Sequence, residues 1–364
     1  MHRRYYINGR FLTQKATGVQ RFAGEVIRSL DDMIARGDID PDQASFVILA
    51  PRKPLQSIEY RHIPVRRVGM LTGHSWEQLM LPSCTRDGFL MNLCNTGPLF
   101  KRNQLATIHD AGIYARPDDY RLGFRAWYRP MMQKLGKNSR LILTVSEFSQ
   151  RELHDYFGIP LDKIQVVSLS GEHMLATAPD DTIVEREELK GRRFLLAVNA
   201  MITRKNLRTV ISAIKLLRPV DFKIVVTGSN YNRVFRKADW DLPGEFLRVG
   251  HVSDGQLRSL YSRAAALIYP SLYEGFGLPP LEAMTCGCPV LVSDIPAHRE
   301  TCGEAASYCD PEDASDIAEK IKELMDNDLL RAELIARGRD RAACFTWQNT
   351  AARLFHHLNS SMLP

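Results

Sequence analysis

Ten short apolar runs, alternating almost throughout with stretches of helical period, restrict this chain more than any other feature. The first five are ASFVILA (44–50), GFLMNLC (88–94), QLATIHD (104–110), RLILTVS (140–146) and KIQVVSL (163–169). The second five are RFLLAVN (193–199), FKIVVTG (222–228), EFLRVGHV (245–252), AALIYPS (265–271) and PVLVSD (289–294). Amphipathic segments fall at 19–35, 120–137, 147–157, 207–217, 254–264, 280–286 and 312–326. Continuous apolar strands alternating with helices predict parallel sheets covered on both faces.

The length, 364 residues, exceeds one ordinary core and suits two. Residues 171–191, GEHMLATAPDDTIVEREELKG, are polar, carry Pro and Gly and show no period, as a linker would. The expected plan is an α/β domain over 1–170, a linker over 171–191 and a second α/β domain over 192–340. A last helix within 341–364 is able to pack back on either domain. Two doubly wound domains of this kind would face each other across a cleft, with ligands at the carboxyl ends of the strands.

Composition removes some alternatives. No run of eighteen apolar residues exists for a transmembrane helix, and MHRRYYINGRFLTQ lacks the apolar core of a signal peptide. Seven cysteines, an odd number without an export signal, read as reduced thiols in a cytoplasmic protein. The net charge of +6 is compatible with phosphate-rich ligands or an anionic membrane surface. No nucleic-acid signature accompanies it. No G-x-G-x-x-G or Walker motif opens a helix.

The loops after the strands carry the chemistry. After RFLLAVN, Arg204 and Lys205 fall in a turn, with Asn206 as the expected N-cap of a helix over 207–217. Two cations beside a helix N-terminus suit a pyrophosphate, although a solvated basic turn reads the same way. After AALIYPS comes SLYEGFGLPPLEAMTCGCPVLVSD (271–294). Pro279 and Pro280 suit a first helical turn, Gly287 a helix stop, and Gly275 and Gly277 a close backbone approach. Glu274 and Glu282 would flank the resulting anion site, with Glu282 in the first helical turn. Carboxylates there are suited to sugar hydroxyls.

EGFGLPPLEAMTCGCPVLVSD resembles the E-x7-E signature of family 4 retaining glycosyltransferases of GT-B architecture. NAMITRKN, LTVSEFSQRELHDYFGIPLDKIQVV, RVGHVSDGQLRSLYSRAAALIYPS, FTWQNTAARLF and TGVQRFAGEVIRSL extend the resemblance over nearly the whole chain. It implies that Glu282 binds the nucleotide ribose and Glu274 the donor sugar, while Arg204 and Lys205 neutralise the departing diphosphate. It also implies backbone contacts from Phe276, Gly277 and Leu278, approach of Gly18 in the first loop to the diphosphate, and contact of Val252 with the base. His109 matches a family histidine near the donor sugar, with Asp110 beside it to orient the ring. Ser146 and Ser149 read as helix-start residues.

The expectation is a metal-independent, retaining transferase without a bound cofactor. EGFGLPPLEAM with NGRF and TGVQRF is similar to bacterial polysaccharide mannosyltransferases, which points to GDP-mannose as donor, with UDP-sugars as the alternative. The acceptor would be a saccharide, free or linked to polyprenyl diphosphate. Residues 118–137 mix Arg, Trp, Tyr and Met; they read as an ordinary helix with one core face or as a membrane-facing surface on the inner leaflet. D-x-D triplets at 38–40, 40–42, 239–241 and 326–328 follow no convincing strand, and CGC (286–288) has no paired C-x2-C. Glu274, Glu282, Arg204, Lys205 and His109 argue against a catalytically inactive binding relative, and neither an epimerase nor a phosphorylase accounts for the E-x7-E match.

Overall fold

The computed structural model describes residues 2–15, 17–52, 59–228 and 242–361. Its chain divides into two compact units. One comprises Met1–Ala111, Ala126–Leu169 and Trp347–Pro364; the other comprises Gly112–Arg125 and Ser170–Thr346.

The first unit is built on a seven-stranded parallel sheet ordered β3-β2-β1-β4-β5-β6-β7. Its strands are β1 (Arg3–Asn8), β2 (Ala44–Ala50), β3 (Val65–Arg67), β4 (Phe89–Asn92), β5 (Gln104–Thr107), β6 (Leu141–Thr144) and β7 (Ile164–Val166). The chain reverses its direction of growth at β1, where Ile7 pairs with Ile48 on one side and Met91 on the other. Ligands gather at such a switch point. β1 is not among the ten expected runs, since RRYYIN begins with two arginines, and neither are the edge strand β3 and the strand Ser307–Cys309 of the second unit.

The second unit holds a six-stranded parallel sheet ordered β10-β9-β8-β11-β12-β13. Here the strands are β8 (Phe194–Ala197), β9 (Lys223–Thr227), β10 (Phe246–Gly250), β11 (Ala266–Tyr269), β12 (Val290–Ser293) and β13 (Ser307–Cys309). Its switch point lies between β8, which pairs with β9, and β11, which pairs with β12. Leu195, Leu196, Val225, Leu267 and Leu291 are fully buried, as central strands covered on both faces require.

Three segments depart from the expected plan. Residues 171–191 are not a bare linker. They form the short helices His173–Ala176 and Thr182–Arg186, bury Met174, Ile183 and Val184, and belong to the second unit. Gly112–Arg125, which follows β5, also groups with the second unit, so the helix Leu122–Asn138 has its first turn there and its remainder in the first. The helix Asp328–Ala343 runs past the expected boundary at 340.

The last helix, Trp347–Ser361, belongs to the first unit and packs on the helix Gly18–Ala35. Trp347 meets Phe22 edge to face at 6.3 Å between ring centroids, and Asn359 Oδ1 accepts from Arg3 at 2.6 Å. The seven cysteines are all free thiols. No helix among the described residues is long and apolar enough to cross a membrane.

Candidate active site

At the carboxyl end of β8 the chain turns through a short 3-10 helix, Thr203–Lys205, and Asn206 takes a left-handed conformation at φ 62°. Asn206 stands at the N-cap position of the helix Leu207–Leu217, but its side chain does not cap it, contrary to expectation. The amide Nδ2 instead donates to the carbonyls of Pro270 (3.1 Å) and Pro311 (2.6 Å), and Oδ1 accepts from Thr209 (2.6 Å). Asn206 thereby fastens the basic turn to the segment that follows β11. A second tie is the Leu272 amide, which donates to the Arg204 carbonyl at 2.8 Å.

Those ties hold Lys205 under the surface. Its ammonium donates to the Glu274 carboxylate and to the Tyr269 hydroxyl, and it lies 4.4 Å from the Tyr269 ring centroid. Lys205 and Glu274 are only 8% and 7% exposed. Burial pushes the Glu274 carboxyl upward, but the charges of Lys205 and Arg204, the Lys205 hydrogen bond and His298 outweigh it and hold the pKa down to about 2. Burial first, and then the Glu274 charge, raise Tyr269 well above the usual phenol range, so it remains a neutral hydroxyl. Arg204 donates to the Tyr120 hydroxyl at 3.3 Å, from within the Gly112–Arg125 segment.

Gly277 precedes the helix Leu278–Thr285 with φ 105°, a conformation that an L side chain rarely adopts. A Cβ there would also stand 3.0 Å from His298 Cδ2. Pro279 and Pro280 occupy the first turn, where no amide donor is needed. Phe276 buries its ring edge-on against Phe345 at 5.8 Å, and its carbonyl accepts from Thr301 at 2.6 Å. Its side chain is therefore core, which leaves only backbone for a ligand.

Glu282 lies in the second turn of that helix rather than the first, since the helix begins at Leu278. It is buried, and both carboxylate oxygens have partners. His173 Nε2 donates to Oε1 at 3.0 Å, and the Tyr261 hydroxyl donates to Oε2 at 3.1 Å. Burial, and next the charge of Glu282, hold Tyr261 protonated well above the usual range. The sequence reading had no place for His173, which lies in the supposed linker, nor for Tyr261.

His298 is the other residue that sequence reasoning passed over. Ser293 Oγ donates to the Ser271 carbonyl at 2.6 Å, so towards His298 Nδ1, 3.1 Å away, it accepts. Nδ1 also lies 3.1 Å from the Ser293 carbonyl. The imidazole proton therefore sits on Nδ1, and Nε2 carries a lone pair with no partner among the described residues. Burial pulls the pKa down to about 4 against the opposing pull of Glu274, so the ring is neutral at pH 7.

Thus Arg204, Lys205, Glu274, Phe276, Gly277, Leu278 and Glu282 all gather at the carboxyl ends of β8 and β11. Val252 follows β10, half-buried, one residue before the Ser253–Gln256 capping box. His109 and Gly18 belong to the first unit. His109 lies two residues beyond β5, buried, with its ring edge against Phe22 at 5.0 Å. Its Nε2 is 3.2 Å from the Leu93 carbonyl, a contact that helps to orient the ring. Burial lowers its pKa. Gly18 is the exposed first residue of its helix and not part of the preceding loop. Ser146 caps the helix Glu147–Phe157 by accepting from the Ser149 amide at 2.9 Å.

The Asp40 carboxylate accepts from the Asp42 amide at 2.9 Å, a turn contact. The triplet at 239–241 lies outside the described residues. Among the described residues no three His, Cys, Asp or Glu side chains gather as a metal-holding group.

Residues 180–341 match the family model described as glycosyl transferases group 1, and residues 93–169 match that of glycosyltransferase family 4. The O-antigen chain mannosyltransferase B of Escherichia coli is 31% identical over 258 residues, 67% of each chain. The O-antigen chain mannosyltransferase RfbU of Salmonella typhimurium is 31% identical over 233 residues, 63% of each chain. Just under two thirds of RfbU is therefore spanned. Among solved structures, Anabaena Alr3699/HepE in complex with UDP-glucose superposes with a TM-score of 0.71 at 13% identity, covering 99% of this chain and 100% of that one. This likeness concerns the fold, that of the GT-B glycosyltransferases.

Proposed function

This chain belongs to the family 4 glycosyltransferases, and on that premise we propose that it transfers mannose from GDP-mannose to a saccharide acceptor in bacterial polysaccharide synthesis, with retention of configuration. The observation that carries the reading is the tie of Arg204 and Lys205 to Leu272 and Glu274, in the segment that leads into the helix Leu278–Thr285, at a sheet switch point. Two cations and the backbone amides of Gly277 and Leu278, at the positive end of the helix dipole, suit a diphosphate. The two O-antigen mannosyltransferases at 31% identity support the choice of sugar.

In this mechanism the glycosidic bond to the diphosphate breaks with oxocarbenium character. Negative charge grows on the leaving diphosphate, where Arg204, Lys205 and the amides near Gly277 and Leu278 stabilise it. A preorganised donor of this type is worth about 2.7–4 kcal/mol of barrier. Lys205 engages Glu274 and keeps it ionised. An ionised carboxylate accepts sugar hydroxyls well. We therefore assign Glu274 to binding the donor sugar, and the acceptor hydroxyl to attack from the face that the diphosphate leaves. Glu282, held by His173 and Tyr261, takes the ribose hydroxyls. His109, Gly18 and Val252 are assigned to the donor sugar, diphosphate and base in turn. The acceptor is a saccharide, and a polyprenyl-diphosphate-linked one accords with the surface described below.

Turnover of a panel of nucleotide sugars tests the reading, with GDP-mannose expected to be the best donor. A UDP-sugar in that place would favour the second donor class, in keeping with HepE and its UDP-glucose. No turnover and no binding of any nucleotide sugar would leave a binding relative instead. The reaction is expected to continue in EDTA; strong inhibition would contradict metal independence.

A further inference from the structure

The positive charge of this protein is concentrated in three segments of the first unit: 61–80, 97–103 and 126–140. Together they carry nine Lys or Arg and one acid, Glu77, an excess of eight. The whole chain has an excess of only six, so the remaining residues are acidic by two. Glu77 is fully buried, where it accepts from Asn8 at 2.7 Å and from Arg10 at 3.2 Å, so it offers nothing to the surface. Seven of the nine cations are exposed.

The three segments adjoin. His74 meets Trp127 and Tyr128 with ring centroids 6.1 and 6.0 Å apart. Gln78 donates to the Gly97 carbonyl at 2.8 Å and accepts from the Leu99 amide at 2.9 Å. Asn138 donates to the Leu99 carbonyl at 2.6 Å, and the Lys134 ammonium lies 5.6 Å from the Phe100 ring centroid.

Large apolar side chains stand out from the same three segments. Phe100 is 84% and Met70 81% exposed, and Leu79, Trp127 and Leu71 are exposed as well. Met131, Met132 and Leu135 turn the other side of the helix Leu122–Asn138 into the core. Isolated surface leucines need no explanation, but five large apolar groups among cations with no exposed acid do. Apolar side chains that enter the acyl boundary, surrounded by Lys and Arg, make an interfacial membrane surface.

We propose that this face docks on an anionic lipid bilayer, with Met70, Leu71, Leu79, Phe100 and Trp127 inserted and the surrounding cations on lipid phosphates. It deepens the reading of a lipid-linked acceptor and rests on that reading for its purpose. Charge complementarity selects the occupant. A protein partner for an apolar patch does not require so one-sided a charge, whereas a bilayer of anionic lipid does.

The test is co-sedimentation of the full chain with phosphatidylcholine vesicles, with and without phosphatidylglycerol. Binding to the anionic vesicles is expected to be tighter by about tenfold or more and to weaken as salt is raised. K134E/K137E should remove most of the phosphatidylglycerol dependence. M70S/F100S should lower binding by about tenfold on its own, through lost apolar burial. Equal binding to both vesicle types, no binding to either, or retention on a soluble polyanion such as heparin without vesicle binding would each overturn the proposal. GDP-mannose turnover in solution separates the two readings. Vesicle binding without turnover overturns the transferase reading alone, and turnover without vesicle binding overturns this one alone.

Discussion

His173 Nε2 lies 3.0 Å from Glu282 Oε1, so a histidine from a stretch that reads as a linker holds a glutamate of the E-x7-E motif. Tyr261 holds the other oxygen at 3.1 Å. All three side chains are within the second unit and buried. The carboxylate is thus fixed in place before any ligand arrives, so little ordering cost would remain on binding the ribose proposed for it.

Removing His173 should therefore act on binding. H173A is expected to weaken GDP binding by about tenfold to a hundredfold, the worth of a hydrogen bond to a charged group. Y261F should act in the same direction. Calorimetric titration with GDP checks both, and unchanged affinity in H173A would remove the ribose assignment of Glu282.

Lys205 and Glu274 should be coupled in stability as well as turnover. K205A is expected to lower turnover by about a hundredfold to a thousandfold. It also leaves a buried carboxylate without its closest counter-charge, for about 3–5 kcal/mol of destabilisation. K205A/E274Q should recover part of that stability and none of the turnover. Urea unfolding and donor turnover of the single and double variants measure the two effects separately.

Stability should fall in acid through two successive windows. His298 is neutral when folded, with a pKa near 4 against an ordinary 6.5, so the unfolded chain takes up its proton first and stability falls between those values. Glu274 is held near 2 against an ordinary 4.5; its contribution is complete above 4.5 and is lost as pH falls towards 2. H298Q should flatten the upper window and E274Q the lower. Thermal unfolding as a function of pH resolves them.

Gly277 meets two independent obstacles to substitution, its φ of 105° and the His298 ring. G277A is expected to cost about 1–3 kcal/mol for the backbone conformation alone, with the contact in addition. G277A/H298A should recover only the contact part. Full recovery in the double variant would show that the backbone term had been misjudged.

Tyr120 reaches Arg204 from a segment that follows β5 in the chain but groups with the second unit. Y120F should raise the KM for donor by about tenfold or more, the worth of a hydrogen bond to a charged group. Little change in unfolding temperature is expected, since the ring stays buried and stacked on Phe124.

The alternation of apolar runs and helices determined two parallel α/β units, because a strand buried on both faces must be apolar throughout. Most of the strands and helices are legible in that pattern. The E-x7-E stretch determined its own local form, through Gly277, two prolines and Gly287, since proline fixes φ and glycine takes a positive φ at little cost, whatever surrounds them. Such local reasoning did not reach β1, whose arginines at the edge conceal a central strand, nor His173, His298, Tyr261 and Tyr120. Those side chains are ordinary in sequence and matter only through what they touch. His173 meets Glu282 across 109 positions and Tyr120 meets Arg204 across 84. No pattern of short period records a contact of that separation. Tertiary packing alone decided which carboxylate is paired with an ammonium and which is held by an imidazole and a phenol, because burial leaves each charged group only the partners that the fold brings to it.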